Sequence, residues 1–235
     1  MLKLKKLLKR NFTASELLLI LVNLLPVLGV WSLGWSAYEV FMVYCLESVI
    51  IGLFVLVKLW IITLVREKDD WNSTPDNSAP MSGYFFILFF LVHYGFFIAI
   101  QLSIFLEVSG AEEKYGISNA WDFIIHFRRY LSDNSEWLLA GLVLSYTFIT
   151  LKDFVLNGVF RIIPMNVVMF EPYGRIFIQQ FTVIIGGFFI ELGAGKVFIT
   201  IFALAKIFFE LIVDFKGVIS TIGKKEPLAS GSTEQ

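Results

Sequence analysis

Apolar residues fall in blocks of roughly twenty, separated by short polar stretches, the pattern of a chain that crosses a bilayer repeatedly. Read this way the sequence predicts an all-α polytopic bundle of about six spans. The first runs from Glu16 to about Gly34 and contains Pro26, a kink that neighbouring helices tolerate in a membrane. A tight link, Trp35 to Ala37, leads to the second, Glu39 to Val65. That run exceeds the ~20 residues needed to cross, so it tilts or protrudes. The third is about Tyr84 to Leu106. The fourth is Trp137 to about Phe160, interrupted by Lys152 and Asp153. The fifth is Tyr173 to Leu192 and the sixth Lys196 to Phe215, joined by a tight Gly193-Ala194-Gly195 turn.

The connections carry their own signals. Arg66–Pro80 reads as a polar loop rich in turn formers. Arg161–Pro172 is still largely apolar and is expected to lie along the interface or dip into the membrane. Ile117–Leu131 has helical amphipathicity, with Asp122, His126, Arg129 and Asp133 on one side. Ile117, Trp121, Ile124, Ile125 and Arg128 favour the other side, so an interfacial helix anchored by Trp121 and Tyr130 is predicted. The organisation is a basic cytoplasmic segment (1–15), a transmembrane domain (16–215) and a polar, disordered cytoplasmic tail (216–235).

Composition sharpens this picture. The chain is 57% hydrophobic and 17% charged, against about 45–50% and about 25% in soluble domains. No soluble core of 235 residues hides that surface. Met1–Arg10 is basic and precedes an apolar run, as in a signal peptide. The run from Leu17 to Leu33 is longer than a typical h-region and lacks a small-x-small site, so it reads as a retained first helix. A net charge of −1 gives no argument for nucleic acid. Cys45 is the single cysteine, and His93 and His126 the only histidines, so no metal site and no cofactor are expected.

Orientation follows the lysines and arginines of the connections. Lys3, Lys5, Lys6, Lys9, Arg10, Arg66, Lys68, Arg161, Arg175, Lys216, Lys224 and Lys225 collect on one side. Lys114, Arg128, Arg129 and Lys196 collect on the other. Both termini are therefore expected in the cytoplasm of a multi-pass cell-membrane protein.

Candidate chemistry lies in ionisable groups at bilayer depth, each costing about 2.5–3.5 kcal/mol at the centre of an inserted helix. Glu47 and Lys58 are eleven residues, three helical turns, apart and share a face with Ile51 and Phe54. Lys206, Glu210 and Asp214 follow at i, i+4 and i+8, and His93 falls near mid-membrane. Together these predict a polar cavity open to the cytoplasm and narrowing toward Glu47. If the second and sixth helices adjoin, Glu47 and Lys206 are the natural deep pair. The competing reading is structural: lysines 58, 152 and 206 nearly balance Glu47, Asp153, Glu210 and Asp214, and would simply tie helices together. Lys58 and Asp214 could also snorkel to the headgroups, and His93, beside Tyr94, could be a hydrogen-bonded core histidine. At the fifth span, Glu171 can cap the helix and pair with Arg175, whose guanidinium is placed to hold a lipid headgroup or another anion. The plainer role of Arg175 is a positive-inside anchor. No Walker loop, G-x-S-x-G, H-E-x-x-H or C-x-x-C occurs.

The stretch Asn23–Lys58 resembles the opening of an uncharacterised family of prokaryotic polytopic membrane proteins, known only as a domain of unknown function. His93-Tyr94-Gly95-Phe96-Phe97, Pro172-Tyr173-Gly174-Arg175-Ile176-Phe177 and the pair Lys206 and Glu210 look like its later markers. The likeness covers about residues 15 to 215. Gln179 and Gln180 stand where the family pattern implies a histidine. The resemblance implies the fold and a cell membrane, and implies no activity.

Three classes of function stay open: a protein transporting or binding a small solute in the cytoplasm-facing cavity, a membrane-embedded enzyme acting on a lipid or isoprenoid, and a structural or accessory subunit. The lipid bilayer is the one partner implied by all three.

Overall fold

The computed structural model describes residues 14–71, 80–174, 176, 185–186, 188–189 and 192–212, the side chains at 14–16, 19, 206 and 208–212 excepted. The chain is mostly helical. Its long elements are α1 (Ala14–Ser32), α2 (Ala37–Arg66), α3 (Gly83–Val108), α7 (Asp133–Ile149) and α9 (Gly195–Ile212). Shorter ones are α4 (Ala111–Tyr115), α5 (Ala120–Ile125), α6 (Phe127–Tyr130) and α8 (Met165–Phe170). Among the described residues three helices are long and apolar enough to cross a membrane: α2, α3 and the run Asp133–Leu156, in which α7 continues as a π-helix over Thr150–Leu156. α1 and α9 contribute shorter apolar stretches. The expected fifth span, Tyr173 to Leu192, lies largely outside the described residues, and the basic N-terminal segment and the tail lie almost wholly outside them.

α2 is the axis of the bundle. It packs against α3, α7, α8 and α9, while α1 leans on α7 and α9. Ser36 caps it, accepting a hydrogen bond from the Glu39 amide at 3.4 Å, as extended serines before helices do. Two glycines set the close antiparallel packing of α2 on α3. A Cβ on Gly83 would lie 2.2 Å from Thr63 Oγ1, and one on Gly52 would lie 2.5 Å from the Tyr94 ring. Thr63 thus meets Gly83 and Gly52 meets Tyr94, so steps down α2 match steps up α3. α9 runs parallel to α2, with Phe198 against Phe41 (ring centroids 5.5 Å) and Phe202 against Tyr44 (4.7 Å). The second and sixth expected spans do adjoin.

The connection after α2 is more structured than a polar loop. Glu67 adopts φ 47°, ending the helix, and Lys68–Asp70 (β1) pairs antiparallel with Pro80–Ser82 (β2), Lys68 opposite Ser82. The ribbon is pinned to α8. Asp69 takes the Met165 amide at 2.8 Å and pairs with Arg66 at 3.1 Å, while the Asn166 amide donates to the Trp71 carbonyl. Arg66 also donates to the Ile163 carbonyl. Arg161–Pro172 accordingly follows a 3-10 turn (Val159–Arg161) and folds into α8, with Met165, Val168 and Met169 buried.

Ile117–Leu131 does not form one amphipathic helix. It breaks at His126 into α5 and α6. The break brings the Tyr130 hydroxyl to 2.7 Å from Asp122, whereas eight residues along an unbroken helix stand about 12 Å apart. Ser118 and His126 donate to the same carboxylate. Trp121 is 67% exposed and Phe123 fills the inner side, while Tyr130, expected beside Trp121 as a second anchor, is buried with its hydroxyl on Asp122.

Candidate functional site

The polar face predicted on α2 forms the spine of the candidate site. Glu47 is 1% exposed, and its Oε1 accepts a hydrogen bond of 2.7 Å from Tyr146 of α7. Three turns along α2, Lys58 Nζ stands 3.5 Å from Glu171 Oε2, with side chains 14% and 24% exposed. Its ammonium also lies 5.8 Å from the Phe154 ring centroid, a loose cation–π contact. Phe154 belongs to the π-helix that continues α7, so the wider turn meets α2 where the ion pair sits. π-helical turns recur at functional positions.

Two residues past Glu171, the Tyr173 hydroxyl is 2.7 Å from His93 Nδ1. Tyr173 reaches α3 through an aromatic nest. Phe89 stacks on His93 (centroids 5.1 Å), Phe97 meets it edge-on, and Phe90 and Tyr94 present edges to the phenol. The segment after α8 therefore supplies partners to both α2 and α3. By the α2–α3 register His93 is level with Leu53, five residues, about 7.5 Å, farther from the ribbon than Lys58. The arrangement is a ladder of polar pairs, Lys58–Glu171 nearest the ribbon end, then His93–Tyr173, then Glu47–Tyr146.

Of the residues singled out in the sequence, Glu47, Lys58 and His93 line this ladder. Glu171 ends α8 and reaches across to Lys58; the fifth span that it is expected to cap lies largely outside the described residues. The side chains of Lys206 and Glu210, and all of Arg175 and Asp214, lie outside the described residues. Lys152, half-buried in the π-turn, sits over Phe148 at 5.3 Å. Among the described residues no three of His, Cys, Asp and Glu gather as metal ligands would.

Sequence reasoning missed the two phenols. The available signal was chemical: in spans dominated by phenylalanine, a tyrosine carries a hydroxyl that needs a partner when buried. It also missed Glu39, whose carboxylate at the far end of α2 takes the Ser132 amide and the Ser135 hydroxyl, each at 2.8 Å, and the Ser132 hydroxyl. That cluster fixes the start of α7 against α2. Tyr146 then falls opposite Glu47.

A pocket of about 240 Å³ lies elsewhere, between α2, α3 and α5, with almost wholly apolar walls. On α2 it faces away from Glu47 and Lys58, while on α3 it borders the aromatic nest, since Phe90 and Tyr94, which meet Tyr173, also line it. Val49 and Leu56 line it on α2, and Leu91 and Gly95 on α3. Each is two positions from Glu47, Lys58 or His93, which is about 160° around a helix.

No curated protein and no solved structure matches this chain. The sequence model of a family of unknown function, DUF6498, matches residues 6–227, nearly the whole chain. The protein, a mostly helical chain with three helices of membrane-crossing length among its described residues and a ladder of polar pairs on its central helix, belongs to that family.

Proposed function

We propose that the protein is a six-span cell-membrane protein, both termini cytoplasmic, that binds or carries a small polar solute entering from the cytoplasmic side along the polar ladder. The observation that carries the reading is the convergence of Lys58, Glu171, His93 and Tyr173 from three parts of the chain, with the outermost pair still partly open. An ion pair at 3.5 Å and 14–24% exposure is one that a polar solute can compete for.

The six-span count is supported by α1 and α9, whose 19 and 18 residues extend about 27–28 Å, close to the ~30 Å hydrocarbon core. Orientation is supported by the two ends of α2. Arg66, Lys68 and Arg161 gather at the ribbon end, and Lys114, Arg128 and Arg129 at the end where α4 to α6 fold. Depth is supported by the parallel α2–α9 register. Continuing Phe41–Phe198 and Tyr44–Phe202 by one turn puts position 206 level with Glu47 and Ser48, which favours the Glu47–Lys206 pair as the closed end of the path.

One observation favours the structural reading instead: Glu47, Lys58 and His93 each already have a protein partner. The lipid-enzyme reading requires an apolar groove beside the polar residues; the apolar pocket borders the His93–Tyr173 nest through Phe90 and Tyr94 but holds none of the paired residues.

Cysteine accessibility separates the first two. In a Cys45→Ala background, single cysteines at 93, 171, 206 and 210 are labelled from each side of native membranes. Cytoplasmic labelling at 171, 206 and 210 that extends to 93 is expected, with slowing by any solute that binds. Uniform protection at all four would mean a dry, paired core and would end the solute reading.

A further inference from the structure

The apolar pocket has its own logic. Gly95 stands in the interior of α3, where glycine weakens a helix. It makes no turn, and a Cβ built on it meets nothing within 4 Å. Gly52 and Gly83 earn their place by close contact with Tyr94 and Thr63; Gly95 only leaves room. The room is the pocket, whose walls include Val49, Leu56, Gly95 and Ala99, roofed by Trp121 and Ile124 of α5.

We propose that this pocket is a retained-lipid site that seats one acyl chain of a bilayer phospholipid under α5. Three observations select this occupant. The walls offer almost no polar atom, which excludes a polar solute. The volume of about 240 Å³ is below the usual range of about 300–1,000 Å³ for drug-sized ligands, and suits a narrow flexible chain. The pocket opens on two helices of membrane-crossing length, so bilayer chains are the medium at its mouth. Trp121, at the roof and 67% exposed, marks the headgroup level. The chain therefore enters from the α5 side, away from the ribbon. The site holds none of the six paired residues of the polar ladder, although Phe90 and Tyr94 wall both it and the nest around Tyr173, so lipid retention is read separately from the solute reading.

The test uses the full chain purified in mild detergent and washed extensively. Native mass spectrometry should show one phospholipid retained per wild-type chain and none on Gly95→Leu, whose side chain fills the pocket. Gly95→Ala should retain it. A phospholipid carrying a diazirine in its acyl chain, incorporated into native membranes, should crosslink chiefly to peptides containing 90–99 and 120–124. If Gly95→Leu does not fold, Ala99→Leu closes the pocket from a neighbouring position, and the wild-type crosslinking stands without any variant. Equal lipid retention by wild type and the filled variants overturns the proposal. So does crosslinking that is as strong at exposed Leu64 and Leu88, outside the pocket, as within it.

Discussion

Removing the hydroxyl of Tyr146 isolates the deepest rung of the ladder. Tyr146→Phe keeps the ring, and with it the contact to Phe54 at 6.0 Å between centroids, so the change deletes one oxygen. The lost hydrogen bond is 2.7 Å long, at the favoured O–H···O distance, and Glu47 is 1% exposed, so water cannot readily replace it. Interhelical side-chain hydrogen bonds in membranes average about 0.6 kcal/mol, with a maximum near 1.7. A buried acceptor that loses its donor costs about 1–3 kcal/mol. The expected loss is therefore about 2 kcal/mol, roughly a thirtyfold shift in the folding equilibrium. A double-mutant cycle with Glu47→Gln, followed by reversible unfolding in mixed micelles, measures the pairwise part, expected at about 1 kcal/mol or more. A loss under about 0.5 kcal/mol with no coupling would show that Tyr146 does not hold Glu47, and the ladder would lose its inner end.

Other consequences are equally direct. Breaking the Lys58–Glu171 pair by Lys58→Met or Glu171→Gln should destabilise by about 1–2 kcal/mol, less than a fully buried pair because both groups are partly wet. The reversed pair Lys58→Glu with Glu171→Lys should recover part of that loss in the same unfolding assay, and no recovery would mean the partners do not act on each other. Gly52→Ala should cost about 1–3 kcal/mol by driving a methyl into the Tyr94 ring and straining the Tyr94–Ser48 hydrogen bond. Gly95→Ala should be neutral or stabilising by up to about 1 kcal/mol, so thermal scans of the two variants should move apart. Hydrogen bonds from Tyr130 and His126 hold the Asp122 carboxyl well below the usual carboxylate range. The stability this contributes is fully present above the unfolded value near 4 and is lost as pH falls through the depressed folded value. The difference in unfolding midpoint between wild type and Asp122→Asn should therefore stay constant from pH 7 to about 5 and shrink only in stronger acid. A difference that does not change with pH would refute the assignment.

Some of this was legible from single residues. The apolar blocks placed α2 and α3 within two residues of their observed ends because a bilayer-length helix needs only local hydrogen bonds and an apolar surface. The eleven-residue spacing put Glu47 and Lys58 on one face, since helical phase is a local property. Local periodicity also misled. It drew Ile117–Leu131 as one helix, because a local pattern carries no information on Asp122 recruiting Tyr130 across a break. It drew Arg66–Pro80 as a plain loop, because the pairing of Lys68 with Ser82 depends on α2 and α3 already lying antiparallel. The partners themselves were beyond sequence reach. Tyr146 is 99 residues from Glu47, Glu171 is 113 from Lys58 and Tyr173 is 80 from His93, and no local rule links positions so far apart. Which side of α2 would meet polar partners and which would carry an apolar pocket was decided only when α3, α7 and the segment after α8 closed around it. The sequence determined which apolar helices would carry charge and on which face; tertiary packing decided what each charge would meet there, because pairing depends on the register between helices.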